Sequence, residues 1–377
     1  MKIWKKATNN SIRTIVTMHN HLEQNTNINP GFDMKLVKQL ASKGIDPNQI
    51  PDFLRDIVKI ITSNAHLGLK GINHNIQKSQ WKGVFLERPL FQLILESFEK
   101  MSVIDESFEE IINDDQGMSQ LIQKIYQERG LDFRGYCKSS LARRLSRFLL
   151  SQGITTYDEC LKLIHNDSQL IDRLLDAITI NVTEFFRDKT AFNTLASLIK
   201  QLSMQKKDVP LKIWSAGCAT GQEPYTLAMI VLNELDEQSI QNTSIIATDI
   251  DPKVLEFSQV GTYDQQSIKE LEPEWVNRFF YNNNNMFTIK DSVKKIITFE
   301  KHSLVTDAPY EGIDIITCRN VMIYFNIGLQ NRVFLKFYRA LNSKGYLMLG
   351  RYEMLLNDAR RFFSSIKFDD RLYQKKN

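Results

Sequence analysis

Cysteine is scarce: the 377 residues hold four, Cys137, Cys160, Cys218 and Cys318. They are widely separated and contain no C-x-x-C pair, so neither a disulfide framework nor a zinc site is suggested and no metal is expected. No apolar run reaches the roughly 18 residues needed to cross a bilayer, and the opening Met1-Lys2-Ile3-Trp4-Lys5-Lys6 lacks the long apolar core of an export signal. A cytoplasmic protein, not embedded in a membrane, is the expectation. Charge of one sign is also lacking: a net charge of +4 is too small to imply a nucleic-acid partner. No internal repeat is present. With 42% hydrophobic and 24% charged residues, the chain has the composition of a globular protein long enough for two or three domains.

What is present is most informative at Ile213-Trp214-Ser215-Ala216-Gly217-Cys218-Ala219-Thr220-Gly221-Gln222-Glu223-Pro224-Tyr225. The pattern is a buried strand, a glycine turn and the start of a helix, which is the architecture of a nucleotide-binding crevice. Gly217 and Gly221 supply conformations closed to other residues. Their spacing fits neither the dinucleotide fingerprint G-x-G-x-x-G nor a phosphate-binding loop. Glu223 stands where a ligand amine could be held. A second apolar run, Ser244 to Ile250, ends in Asp249 and Asp251. A carboxylate at the tip of that strand is placed to accept from ribose hydroxyls, while Asp before Pro252 also suits a helix cap; one aspartate can take each role. A third strand, Gly312 to Asn320, delivers polar groups to the same edge before Val321-Met322-Ile323-Tyr324-Phe325-Asn326.

Four motifs in order carry a family resemblance: Asn181-Val182-Thr183-Glu184-Phe185-Phe186-Arg187, the Ser215 to Tyr225 turn, Ala247-Thr248-Asp249-Ile250-Asp251, and Cys318-Arg319-Asn320-Val321-Met322-Ile323-Tyr324-Phe325. Over roughly Gln120 to Tyr373 the chain resembles the chemotaxis receptor methyltransferases, the CheR family. The resemblance implies an α/β fold: a Rossmann-like class I methyltransferase domain with a small antiparallel β insertion, preceded by an all-α domain. It implies the all-α domain over 111–190 and the catalytic domain over 191–377 with its insertion at about 261–300; residues 1–110, outside the resemblance, read as a helical extension of unknown role. The implied activity is S-adenosylmethionine-dependent O-methylation of glutamates on cytoplasmic helices of methyl-accepting chemotaxis receptors. A carboxylate is already a nucleophile and the sulfonium an activated donor, so alignment and exclusion of water suffice. No Ser-His-Asp constellation is apparent.

Carried over residue by residue, the resemblance implies that Asn181, Thr183, Arg187, Gly217, Glu223, Asp249, Ser303, Leu304, Cys318 and Arg319 hold the cofactor. Glu223 would take its amine and Asp249 its ribose. Tyr324 would sit beside the transferred methyl, and Arg187, with its fork of donors, would orient the incoming carboxylate. Considered singly, Phe185, Phe186 and Phe325 read as core, Cys318 as an inert apolar filler, and Thr183 as the cap of a helix beginning near Glu184. Three departures stand out: Gln222 in place of the family's first glutamate, Ser303 in place of an asparagine, and Gly350-Arg351-Tyr352-Glu353 in place of Gly-His-Ser-Glu.

The stretch Lys138 to Leu149 places Leu141, Leu145, Phe148 and Leu149 on one helical face and turns Arg143, Arg144 and Arg147 away. That basic ridge is either a solvated face or, as the family implies, the surface that meets the acidic receptor bundle. Helices continue from Thr156 to His165 and from Gln169 to Ile178, forming a lid. Strands at Phe287–Lys290 and Ile296–Glu300 are assigned to the insertion, whose edge could add a receptor tail peptide; Asn282-Asn283-Asn284-Asn285 reads as a solvated turn. Asp33–Ser42, Pro51–Asn64 and Pro89–Lys100 have helical periodicity. Two rivals were weighed. Asp307-Ala308-Pro309-Tyr310 resembles an amino-methylating motif of nucleic-acid methyltransferases but precedes the third strand instead of following it. A cofactor-binding scaffold without catalysis is the other.

Overall fold

In the computed structural model, the structure describes residues 108–376, apart from 168, 180, 208, 356 and 357, together with isolated positions between 40 and 77. The helices expected over 33–42, 51–64 and 89–100 lie essentially outside the described residues. The chain divides into two compact units. The first comprises Met1–Asn113 and Leu149–Thr156, and in it residues 108–113 are helical. The second comprises Asp114–Phe148 and Tyr157–Asn377 and carries everything that follows.

The second unit opens with helices α1 (Asp115–Arg129), α2 (Lys138–Ser151, its last three residues assigned to the first unit), α3 (Tyr157–Asn166) and α4 (Gln169–Ile178). Helix α1 begins because the Asp114 carboxylate accepts from Gly117 N, and ends because Gly130 takes a left-handed φ of 70°. Helix α5 (Lys189–Lys206) leads into the sheet. It starts five residues later than a cap at Thr183 would have it: residues 181–188 are irregular, and Asp188 in left-handed conformation (φ 61°) opens the helix without a side-chain cap.

A seven-stranded sheet follows, with β1 (Leu211–Ala216), β2 (Thr243–Asp249), β6 (Ile297–Lys301), β7 (Ile313–Cys318), β8 (Leu341–Leu349), β9 (Phe363–Lys367) and β10 (Leu372–Lys375). Their order is β6-β2-β1-β7-β8-β10-β9. The first five are parallel and β10 pairs antiparallel with both neighbours. The chain winds outward from β1 in both directions, so the β1/β7 boundary is a topological switch point with a crevice beyond the strand ends. Helix α6 (Gln222–Glu234) follows β1 and is buried from Gln222 through Val231. Helix α7 (Pro252–Val260) is capped by Asp251, which accepts from Lys253 N, with Pro252 in its first turn and Gly261 closing it at φ 60°. Helix α8 (Ile327–Ala340) covers the opposite face with Val333, Phe334 and Phe337 against Trp214, Ile316 and Leu347.

The insertion is smaller than its sequence suggests. It is a three-stranded antiparallel sheet, β3 (Thr262–Asp264), β5 (Met286–Ile289) and β4 (Phe280–Asn283), in the order β3-β5-β4. Ile296–Glu300, assigned to it from sequence, instead lead into and form most of β6, paired in parallel with β2 at the edge of the main sheet. A short apolar run cannot by itself distinguish the two sheets. The β4–β5 hairpin turns at Asn284 and Asn285, both left-handed at φ 50° and 63° and both exposed. No helix among the described residues is long and apolar enough to cross a membrane.

Candidate active site

A cleft of about 990 Å³, counting its part open to solvent, lies at the carboxyl ends of β1, β2 and β7. Each strand ends where its sequence requires a change of direction. At Gly217 φ is 79°, and an added Cβ would lie 2.5 Å from Val321 Cγ2; at Gly221 φ is 91° and a Cβ would meet Ser258 at 2.9 Å. Backbone therefore forms the floor between β1 and α6, and Gly217 allows the Val321 segment to close over it.

Glu223, in the first turn of α6, is 8% exposed. Its Oε1 accepts from Ser215 Oγ of β1 at 2.8 Å and from Thr317 Oγ1 of β7 at 2.6 Å, while Oε2 stands 3.9 Å from Arg319 Nη1. Two hydroxyls from neighbouring strands thus fix one oxygen and leave the other toward the cleft. Asp249, ending β2, is buried and raised in pKa by that burial. Its Oδ2 accepts from Ala219 N at 2.9 Å and its Oδ1 from Asp251 N at 3.1 Å. The two aspartates differ: Asp251 caps α7 and accepts from Asn181 Nδ2 at 3.2 Å, while Asp249 lines the cleft.

Arg319 is buried, with its guanidinium 4.9 Å from the Phe192 ring and its Nη2 donating to Asp188 Oδ2 at 2.6 Å and Arg187 O at 2.7 Å. It thereby ties the end of β7 to the 181–188 segment. That segment is anchored from the other side by Phe185, which is buried edge-on against Tyr263 and Phe280 of the insertion. The helical part joins the sheet through an antiparallel bridge between Tyr136 and Phe325, with Cys137 N donating to Tyr324 O and Asn326 N to Gly135 O.

Of the residues anticipated from sequence, Asn181, Thr183, Arg187, Gly217, Glu223, Asp249, Leu304, Arg319 and Tyr324 line this one cleft. Ser303 and Cys318 do not. The Ser303 hydroxyl accepts from Val305 N and Thr306 N, closing its own turn. Cys318 is fully buried among Trp214, Met322 and Leu349 on the α8 side of the sheet, and burial pushes its thiol well up. The basic ridge divides as well. Arg143 and Arg147 are exposed, but Arg144, expected to turn outward, points into the cleft. Its Nη1 donates to Ile178 O at 2.6 Å, and its guanidinium lies 4.5 Å from the centre of the Tyr324 ring. Helical periodicity assigns Arg144 to the polar face, and only the fold shows that the edge of that face is roofed by Tyr324. Ser215, Thr317 and Tyr136 were also missed; strand-end hydroxyls alternating with the apolar run were the available signal.

The CheR methyltransferase SAM-binding domain matches residues 181–371, and the CheR methyltransferase all-alpha domain matches 116–179. The chain belongs to the CheR methyltransferase family. Among relatives of this CheR protein, a chemotaxis protein methyltransferase of Listeria monocytogenes is 32% identical over 237 residues, 62% of this chain and 88% of that one. Another, of Vibrio parahaemolyticus, is 37% identical over 194 residues, 50% of this chain and 70% of its own. A probable chemotaxis protein methyltransferase of Rhizobium etli is 31% identical over 252 residues, 64% and 94% of the two chains. The CheR protein is accordingly a SAM-dependent methyltransferase of the chemotaxis type, with a SAM-binding α/β domain behind an all-α domain. The cleft suits S-adenosylmethionine on its own chemistry: a buried carboxylate for an ammonium, a second for vicinal hydroxyls, and a backbone floor admitting close approach.

Proposed function

We propose that this methyltransferase esterifies glutamate side chains on the cytoplasmic helices of chemoreceptors, and so acts in the cytoplasm. The observation that carries the acceptor class is the grouping of Arg144, Arg187 and Tyr324 at one place on the cleft wall. Arg144 lies over the Tyr324 ring, and both guanidiniums favour the ionised form of its phenol although burial raises its pKa overall. Two cations beside one hydroxyl suit an anionic acceptor, and a carboxylate approaching them meets forked donors and a neutral O–H.

The proposed roles follow from position. Glu223 holds the cofactor's amine, Asp249 its ribose, Leu304 and Arg319 flank it, and Asn181 and Thr183 close over it from the segment before α5. Bound S-adenosylmethionine supplies an activated methyl group. Arg187 and Arg144 orient the acceptor carboxylate without proton transfer, since the nucleophile is already ionised. Tyr324 fixes the acceptor by a hydrogen bond, and Phe133, Tyr136, Leu304 and Phe325 keep water from the cleft. Exposed Arg143 and Arg147 extend the positive surface toward an acidic helix bundle. A receptor tail peptide adding to an outer strand of the β3-β5-β4 sheet remains part of the proposal.

Labelled methyl transfer to receptor-containing membranes tests this reading. Label on a receptor band, released by mild alkali as methanol, is the expected result; alkali-stable label, or none with donor bound, would sink it. In the same assay Asp249→Ala loses donor binding by about 10²-fold, as expected when hydrogen bonds to a buried charged acceptor are removed.

A further inference from the structure

Glu353 is a buried carboxylate that the mechanism above leaves without a role. It is 3% exposed, and its partners are backbone amides. Oε2 accepts from Gly350 N at 2.6 Å and Asn320 N at 2.8 Å; Oε1 accepts from Ile323 N at 3.3 Å. The carboxylate therefore joins two chain reversals, one leaving β8 at Gly350 and one leaving β7 at Asn320. The second carries the 3₁₀ turn Met322–Tyr324.

Both reversals are shaped around that charge. Asn320 is left-handed at φ 62°, a conformation that asparagine adopts more readily than other residues with a Cβ. Gly350 is a glycine for want of room: an added Cβ would stand 2.7 Å from Glu353 Oε2 and 2.8 Å from Asn320 N. The turn's carbonyls are held elsewhere, Tyr324 O by Cys137 N and Met322 O and Phe325 O by Gln330 Nε2, whereas Glu353 takes its amides, and an ion is expensive to bury. Spending one here is reasonable only if the turn's position matters. The turn ends at Tyr324, whose phenol also feels the Glu353 charge.

We propose that Glu353 is a positioning residue for methyl transfer: its carboxylate clamps the Asn320–Tyr324 turn so that the Tyr324 hydroxyl meets the acceptor. The inference rests on the role proposed for Tyr324. A glutamine fills the same space, but it replaces one acceptor oxygen with an amine that must face a backbone N–H. With its nitrogen at the Oε2 position Gly350 N and Asn320 N both lose their acceptor, and with it at the Oε1 position Ile323 N does.

The full-length protein carrying Glu353→Gln, Gly350→Ala and Tyr324→Phe, alone and paired, tests this through SAM affinity by calorimetry and through kcat and KM on receptor membranes. Glu353→Gln is expected to keep SAM affinity within about twofold while lowering kcat by about 10²-fold, the cost of misplacing an aligned group by about an ångström. Gly350→Ala, which pushes the carboxylate off Asn320, follows it. In the Tyr324→Phe background the same change is expected to cost less than about threefold, because the two residues act through one hydroxyl. Equal losses in both backgrounds, an unchanged kcat, or loss of SAM binding in both Glu353→Gln and Gly350→Ala overturns the proposal and returns Glu353 to a structural role. A Tyr324→Phe enzyme with wild-type kcat removes the reading of Tyr324 and this proposal with it, whereas an additive pair removes the proposal alone.

Discussion

The acids of the cleft differ in how they are held, and the difference sets what each substitution does. Glu223 accepts from two hydroxyls, Ser215 Oγ and Thr317 Oγ1, through the same oxygen. Replacing both, as Ser215→Ala with Thr317→Val, removes the orientation and leaves the charge. SAM affinity should fall about tenfold for about 1–1.5 kcal/mol of lost hydrogen bonding, with the fold intact by circular dichroism. The sequence shows both hydroxyls at strand ends but not their convergence, which comes from strands that are neighbours only after folding. Asp249 was legible as an acid ending an apolar strand, and Glu223 as an acid just after a glycine turn at the start of a helix. Ser303 and Cys318 show the opposite failure: a matching motif position whose side chain the local turn or the α8-side core takes up.

At the scale of elements, the parallel strands and the helices after β1 and β2 were readable from glycines, caps and apolar runs, since each signal is local. The insertion boundary was not, because pairing partners are chosen by tertiary packing: Ile297–Lys301 satisfies its backbone on β2 and leaves a three-stranded sheet behind. Helix α2 makes a separable prediction. Arg143 and Arg147 are exposed, whereas Arg144 is lodged against Ile178 O and Tyr324. Reversing charge at Arg143 and Arg147 should raise KM for receptor several-fold, more so at low salt, with SAM affinity and kcat unchanged. Arg144→Glu should instead depress kcat, since it places a second anion beside the acceptor. Equal KM effects from all three would restore a uniform basic ridge.

Across the whole molecule, the buried phenols define the alkaline limit. Burial raises the pKa of Tyr136, Tyr157, Tyr225 and Tyr263. An unfolded phenol ionises near 10, so as pH rises past that value the unfolded chain loses protons that the folded chain retains. Stability contributed by these groups is complete below about pH 10 and is lost above it. Chemical denaturation at a series of alkaline pH values should show ΔG falling steeply there, with exposed Tyr281 and Tyr352 ionising in the folded chain and a further rise in phenolate absorbance accompanying loss of the fold. The full phenolate signal appearing before unfolding would show that the buried hydroxyls reach water.

The carboxylate proposed to hold the cofactor's amine also has a history in time. Glu223 is completed by Ser215 and Thr317, and the latter lies 94 residues further along the chain, beyond two crossovers and the insertion. During synthesis, β1, β2 and their helices leave the ribosome well before β7 exists to pair with β1. A nascent chain that stops short of Thr317 therefore carries a half-built cradle, and the ability to retain S-adenosylmethionine arises late, when the central pair of strands closes.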